Sequence, residues 1–430
     1  MYITPQPEFW ILNFFLSPMP TSIEDSPVLS PQKYLGLATL LRLNLAGANL
    51  SSTLQSLIKQ ATDDPNDADS LLDAAVIFQF HGNPQLALSL QKEALQLCRH
   101  YSLPAQQPAE LRLLALMAPG DLTANVPVDC LLENANVDLD IYYATGADFD
   151  PAEIPDHDVL FVAISESAAN RPILDAWLPL LMQWPRPVLI NPLHIERVAR
   201  DAAASLLSAL PGVVMPPTLR LGREQLSSLI AAAMNNEFQP GINFPLIVRP
   251  LDSHAGHDLY KVDSPAELTE KLEVMLEDEF FVSPFIDYRS SDGLFRKYRI
   301  VLIDGQPFAC HMGISSHWMI HYLNAGMADS AEKRAEEALF MANFETGFAQ
   351  RHANALAAIN DSIGLDYLGI DCAETSDGRL LVFEVDHAMV VHAMDPVDLY
   401  PYKQPAMQKL FTAFRAMLFK AAGKTAVLVE

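Results

Sequence analysis

The chain has 430 residues, 50% of them hydrophobic and 19% charged, a balance too apolar for disorder and too interrupted for a membrane protein. That length allows two or three domains, each with its own core. With 53 acidic against 28 basic residues the formal charge is -25, which repels nucleic-acid phosphates and anionic lipid surfaces and argues against nucleic-acid or membrane partners.

Residues 1–30 read as an N-terminal extension. Its apolar patch FWILNFFL has no preceding Lys or Arg and no small-residue cleavage site, and it is too short to span a bilayer. Over residues 31–103, Leu and Ala recur at helical steps with breaks at Asn49, Asp64-Pro65 and Gly82-Asn83-Pro84, which predicts antiparallel helix pairs. Residues 68–97 resemble a tetratricopeptide repeat, with Ala75, Gly82, Ala87 and Ala94 where that repeat needs small residues. One such unit reads as a small helical cap docked on the rest, with a groove for a protein partner as the alternative.

After a Pro-containing linker the texture changes over 109–217. LRLLALMA, DLDIYYAT, DVLFVAIS and PVLIN are short apolar runs bounded by turn residues, and a helical pattern, RPILDAWLPLLMQW, separates the last two. Strands alternating with helices predict a small, mainly parallel α/β domain. The turn ALMAPGD lacks a GxGxxG fingerprint, so dinucleotide binding is not indicated. Residues 191–210 read as a helix carrying Arg197 and Arg200.

Residues 218–430 form the next unit. The strand FPLIVRP ends in Arg249 and leads into LDSHAGHD, a loop whose Ser253, His254 and Gly256 would let backbone N–H groups approach a phosphate. The run FFVSPFID contains Pro284, which cannot donate to a ladder, so it predicts an irregular edge strand open to a flat ligand. Arg289, Arg296, Lys297 and Arg299 lie close together in an acidic protein. Alternation puts Lys297 and Arg299 on one face of a strand and Arg296 and Tyr298 on the other. The bases read as a cluster that compensates a polyphosphate, or else as a solvated edge.

The segment 364–386, GLDYLGIDCAETSDGRLLVFEVD, reads as a hairpin turning at Ser376, Asp377 and Gly378. Glu384 and Asp386 leave one face while Val385 points inward, and Asp371 stands on the first strand. Three converging acids would repel one another and raise one another's pKa unless a cation shared them, and an all-oxygen set suits magnesium. Solvated acids on an edge hairpin are the alternative. Cys98, Cys130, Cys310 and Cys372 make no CxxC pair, which fits a reducing cytoplasm. The C-terminal histidines lack a His-Glu-x-x-His spacing, so His317, Trp318, His321, Tyr322 and His387 read as acceptor-site candidates, not ligands.

The order strand-Arg-loop, irregular strand, Arg-bearing strand and GIDCAE...FEVD resembles the ATP-grasp superfamily, in its RimK and glutathione synthetase-like branch. The resemblance covers roughly residues 187–420, with the α/β segment in the place of a pre-grasp domain. It implies an ATP- and magnesium-dependent carboxylate-amine ligase acting through an acyl phosphate on a small metabolite or peptide. A nucleotide-binding scaffold recruiting a protein partner, and an ATP-grasp kinase, are its alternatives. By the resemblance Asp371, Glu384 and Asp386 are magnesium ligands, and Arg249 and the 253–257 loop hold phosphates. Phe281, Val282, Ser283 and Phe285 make the adenine hinge and Asp287 a ribose contact, while Arg299 steadies the transferring phosphate. The chain departs from the family's pattern in Arg249 for Lys, in Ala202 for a second Lys that Arg200 or Arg197 would replace, in Asp386 for Asn, and in Asn324-Ala325-Gly326 for an Asn-Gly-Gly signature. Oligomeric state is left open, a homo-oligomer included.

Overall fold

The computed structural model of the chain describes residues 33–146, 151–235, 243–251, 253 and 258–425. The expected extension of residues 1–30, and His254, Gly256 and His257 of the expected phosphate loop, lie outside the described residues.

The helical region comprises α1 (Gly36–Leu45), α2 (Leu50–Asp63), α3 (Ala68–Phe80) and α4 (Pro84–Leu97). Two of the expected breaks supply N-caps, with Asn49 accepting from Ser51 N and Asn83 from Leu86 N; at the third, Asp64 ends α2 and Asp67, three residues on, caps α3 by accepting from Ser70 N. Ala75, Ala87 and Ala94 are buried where α3 and α4 pack, and Gly82 turns the chain at φ 68°. α3 is covered along most of its length and forms the core of this region.

The first sheet contains β1 (His100–Leu103), β2 (Leu111–Met117), β3 (Val137–Tyr143), β4 (Val159–Val162) and β5 (Val188–Leu189) in the order β1-β3-β2-β4-β5. All neighbours are parallel except β1 and β3, and β1 itself was not foreseen. The short α5 (Val128–Leu131) follows β2, and α6 (Arg171–Leu181) joins β4 to β5. The helix expected over 191–210 is broken. A 3-10 segment, Pro192–Val198, stops at Ala199, whose backbone is extended (ψ 139°), and α7 (Arg200–Leu207) starts afresh with Arg200 in its first turn. β6 (Val213–Val214) follows.

The second sheet contains β7 (Leu219–Gly222), β8 (Leu246–Pro250), β9 (Tyr260–Val262) and β10 (Glu279–Pro284), antiparallel in the order β7-β10-β8-β9. With α8 (Arg223–Met234) and α9 (Pro265–Val274) it closes a core of its own around Leu226, Val248 and Phe280. β10 is an interior strand, not the edge that Pro284 suggested. The proline is tolerated because β7 ends opposite Val282, so no ladder is broken on that side.

The third sheet contains β11 (Phe295–Ile303), β12 (Gln306–Ser315), β13 (Tyr367–Glu374) and β14 (Leu380–Asp386), and β6 joins it parallel to β14 in the order β12-β11-β13-β14-β6. Between β12 and β13 run α10 (Ala331–Ala342), α11 (Phe348–Arg351) and α12 (Ala353–Ile363), and α13 (Lys403–Ala421) comes last. Phe414 on α13 sits edge-on to Phe161 of β4 at 5.7 Å and to Tyr367 of β13 at 5.5 Å. The first and third sheets therefore share one apolar core, while the second sheet keeps its own. Among the described residues, no helix is long and apolar enough to cross a membrane.

Candidate active site

Two β-bulges set the site. β11 and β12 pair Arg299 with His311 and then Ile300 with Ala309, leaving Cys310 as an extra residue. β13 and β14 pair Asp371 with Glu384 and then Cys372 with Val382, leaving Phe383 extra. Because β11 also pairs Arg299 with Asp371, four polar residues form one row across the sheet: His311, Arg299, Asp371 and Glu384. Bulges re-aim side chains, and both irregularities fall beside this row.

Asp371 is buried and shared by two cations. Arg299 donates to it through Nε at 2.8 Å and Nη2 at 3.0 Å, and Lys297 Nζ lies 2.7 Å away. Arg200 Nη2 donates to Glu384 at 2.7 Å, placing the first turn of α7 against β14. The expected alternation holds: Arg296 turns outward to Asp292 and Glu336, and Tyr298 packs on Phe340 and Phe348. The expected cluster of bases is thereby divided. Lys297 and Arg299 reach the site, while Arg289 stays on the rim with Asp287 and the Phe295 ring.

Asp371 and Glu384 are both held ionised, because cations share them. Burial alone would raise the pKa of Asp371, but Arg299 and Lys297 outweigh it and hold the carboxyl well below its usual range. Burial likewise opposes ionisation of Glu384, yet Arg200 and then Arg249 hold it at about 2. The sharing cations are the protein's own. Arg249 is buried at the end of β8, where burial and then Arg200 lower its pKa to about 9 against the pull of Glu384. Its Nε donates to Ser253 Oγ at 3.0 Å, and Ser253 Oγ donates to Pro250 O at 2.9 Å. Asp386 leaves the same side of β14 as Glu384 and accepts from Ala388 N at 2.9 Å. Among the described residues, no three carboxylate, imidazole or thiol groups gather as a metal-binding set.

Beside the row lies a cavity of about 290 Å³ with Lys297, Arg299 and His311 in its wall. His321 and Tyr322 face it from the loop after β12, and Lys403 from the start of α13. Lys403 is almost fully buried: Asp395 lies 3.1 Å from its Nζ, and the Tyr322 and Tyr400 rings 4.0 and 4.6 Å. Behind it, the buried carboxylate of Glu337 accepts from Met312 N at 2.9 Å, Tyr322 at 2.8 Å and Tyr402 at 2.6 Å, so the floor is fully hydrogen-bonded. Gly313 keeps the space open, since a Cβ there would stand 2.9 Å from Ile320. Burial, followed by the nearby cations, lowers the pKa of His321 to about 4 and that of His311 well below its ordinary value. Both imidazoles are therefore neutral hydrogen-bonding groups at pH 7.

Arg200, Arg249, Arg299, Asp371 and Glu384 are brought together, and His321 and Tyr322 enter the cavity. The residues expected around a base lie outside the cavity wall. Val282 is buried in the second core, Phe281 pairs with Arg249, and Ser283 faces Ile247 across the ladder. Phe285 packs edge-on against Trp318 at 5.7 Å, under Lys261 at 5.1 Å, and Asp287 accepts from Arg289 N at 3.0 Å. His317 bonds to Ser315 and Ser316, and Asn324 accepts from His321 N at 3.0 Å, so both shape the loop outside the cavity wall. His387 also stands outside that wall. It is fully buried with its Nε2 2.9 Å from Ile164 O, because the turn after β14 packs against the first sheet. Lys403, His392 and Asp395 were not foreseen: no spacing marks them, and only the approach of α13 assembles them.

No family model matches the chain, and no curated protein matches it. Among solved structures it is similar in outline to the D-alanine–D-alanine ligase from Bacillus anthracis complexed with ATP, at TM-score 0.44 and 13% identity, covering 73% of this chain and 97% of that one. It is likewise similar to the VanG D-Ala:D-Ser ligase from Enterococcus faecalis, at TM-score 0.44 and 13% identity, covering 73% of this chain and 100% of that one.

Proposed function

We propose that the chain is an ATP- and magnesium-dependent carboxylate-amine ligase of the ATP-grasp type, acting on a small metabolite or short peptide. One observation carries the reading: Lys297 and Arg299 are at once ion-paired with Asp371 and part of the wall of the cavity. A group held in the cavity is thus adjacent to the cationic cluster that a nucleotide's phosphates would need. In this reading residues 31–103 are a docked cap, 109–217 the pre-grasp segment and 218–430 the nucleotide-binding part.

Arg200 and Arg249 would receive phosphate oxygens, for which guanidinium groups supply paired donors. Ser283 and Pro284 lie beyond the end of β7 and are paired on one side only, which supports a base seated against that backbone, with Phe281 to Phe285 as the hinge. Asp371 and Glu384 are ionised and opposed in register; with Asp386, on the same side of β14, they are the residues that would hold magnesium, which a set of oxygen donors suits. The metal's contribution when bound is to neutralise phosphate charge. A substrate carboxylate oxygen attacks the γ-phosphorus and ADP leaves; an amine then attacks the acyl carbon, expels phosphate and gives up a proton. Arg299 is the donor for the oxyanion of the second step.

The four cysteines are unpaired, which supports a reducing compartment such as the cytoplasm. Purified protein incubated with magnesium, ATP and pooled amino acids tests the reading. ADP with free phosphate supports ligation, and ADP with a phosphorylated product supports a kinase. No substrate-stimulated turnover leaves a nucleotide-binding scaffold.

A further inference from the structure

The end of α1 reaches the cavity, where Leu45 is part of the wall. That helix is fixed by buried groups. The Asp73 carboxylate accepts from Leu35 N at 2.7 Å and Gly36 N at 3.1 Å, Asp129 accepts from Ala38 N at 2.6 Å, and Arg42 pairs with Glu133 at 2.9 Å. Leu40 and Leu41 share one apolar cluster with Cys130 of α5 and with Met394, which lies in the segment after β14. The same segment touches the chemistry at two points: Arg299 Nη1 donates to Val390 O at 3.1 Å, and Asp395 holds Lys403 at 3.1 Å. The segment over residues 390–395 thus touches both the helical region and Arg299.

We propose that the N-terminal helical region is a wall of the acceptor pocket and that Leu45 limits the length of the molecule the pocket admits. The inference rests on the ligase reading only in treating the cavity as an acceptor pocket. A helix tied at its start by Asp73 and Asp129 and near its end by the Arg42–Glu133 pair resists displacement by a longer ligand, and one methylene too many or too few in a fitted pocket changes selection by roughly 10 to 200-fold. Lys297 and Arg299 together with Asp329 and Asp395 offer both signs of charge, which suits a zwitterion as probe.

The test uses the full chain without nucleotide and a series of straight-chain 2-amino acids from alanine to 2-aminooctanoate, each scored by its thermal stabilisation of the protein. A chain-length cut-off is expected, with Leu45→Ala moving it about one or two carbons longer and Leu45→Phe moving it shorter. Leu43→Ala, on the same helix but outside the cavity wall, leaves it in place. If Leu45→Ala fails to fold, Leu45→Phe and Leu45→Met decide. An unmoved cut-off in the Leu45 variants, an equal shift in Leu43→Ala, or no stabilisation by any member overturns the inference. Hydrolysis of ATP with magnesium is measured in parallel: a moving cut-off without turnover keeps the wall and removes the ligase reading, and turnover with an unmoved cut-off does the reverse.

Discussion

Asp371 shows how a buried carboxylate is made tolerable. Two cations and a bidentate geometry offset its desolvation, so removing either partner exposes the cost of burial. Arg299→Ala is expected to lower stability by up to about 3 kcal/mol, read as a fall in the urea midpoint, because it removes the bidentate partner and leaves buried Asp371 to Lys297 alone. Arg299→Lys keeps a charge but loses the fork, so a smaller stability loss with a large loss of turnover is expected. Glu384→Gln is nearly isosteric, and the variant should remain folded by circular dichroism and lose turnover. A wild-type rate in that variant would remove the metal assignment. The pair Asp371 and Glu384 was legible because acids on apolar strands stand out, whereas Lys403 was not: one lysine in DPVDLYPYKQ carries no sign of the two tyrosine rings it meets.

Most of the strands were readable from apolar runs and turn residues, β1, β7 and β9 excepted, and the helix ends from Asn49 and Asn83. The bulges were not. Cys310 and Phe383 are as apolar as their neighbours, so nothing in the pattern marks them as the extra residues that align the row. Nor did Ala199 announce the break that presents Arg200, since alanine favours a helix. The attachment of α1 gives two predictions. Gly36 has φ 79°, and a Cβ there would stand 2.9 Å from the Leu103 side chain, so Gly36→Ala should cost roughly 1–2 kcal/mol or more and lower the thermal midpoint. Burial, only partly offset by the Leu35 and Gly36 N–H groups, raises the pKa of Asp73 from 3.8 to about 8. The folded state thus binds this proton more tightly than the unfolded state, so the contribution is full below about 3.8 and is lost as pH rises through about 8. Asp73→Asn should flatten that decline, and a thermal midpoint that falls equally in both proteins between pH 4 and 8 would count against it.

At the scale of the molecule, the separate core of the second sheet places Arg249 on a different body from Arg200 and Glu384. A nucleotide bound between them should tie the bodies together. Hydrogen exchange is therefore expected to slow at both β8 and α7 when ATP and magnesium are added, and slowing at only one would count against a shared site. The shared core of the first and third sheets was not visible in the shifts of texture along the sequence, nor was the membership of β6 in the last sheet, because a two-residue strand has no periodicity to read.

The contact between α1 and Met394 also constrains the order in which the protein can be made. Leu40 and Leu41 leave the ribosome early, yet the methionine that helps cover them is synthesised near the end of the chain. Until then the side of that cluster that Met394 covers is open to a chaperone or to aggregation, and a prematurely terminated chain lacks Lys403 and that wall of the cavity. Completion of synthesis, and not only folding of each part, is what switches the pocket on.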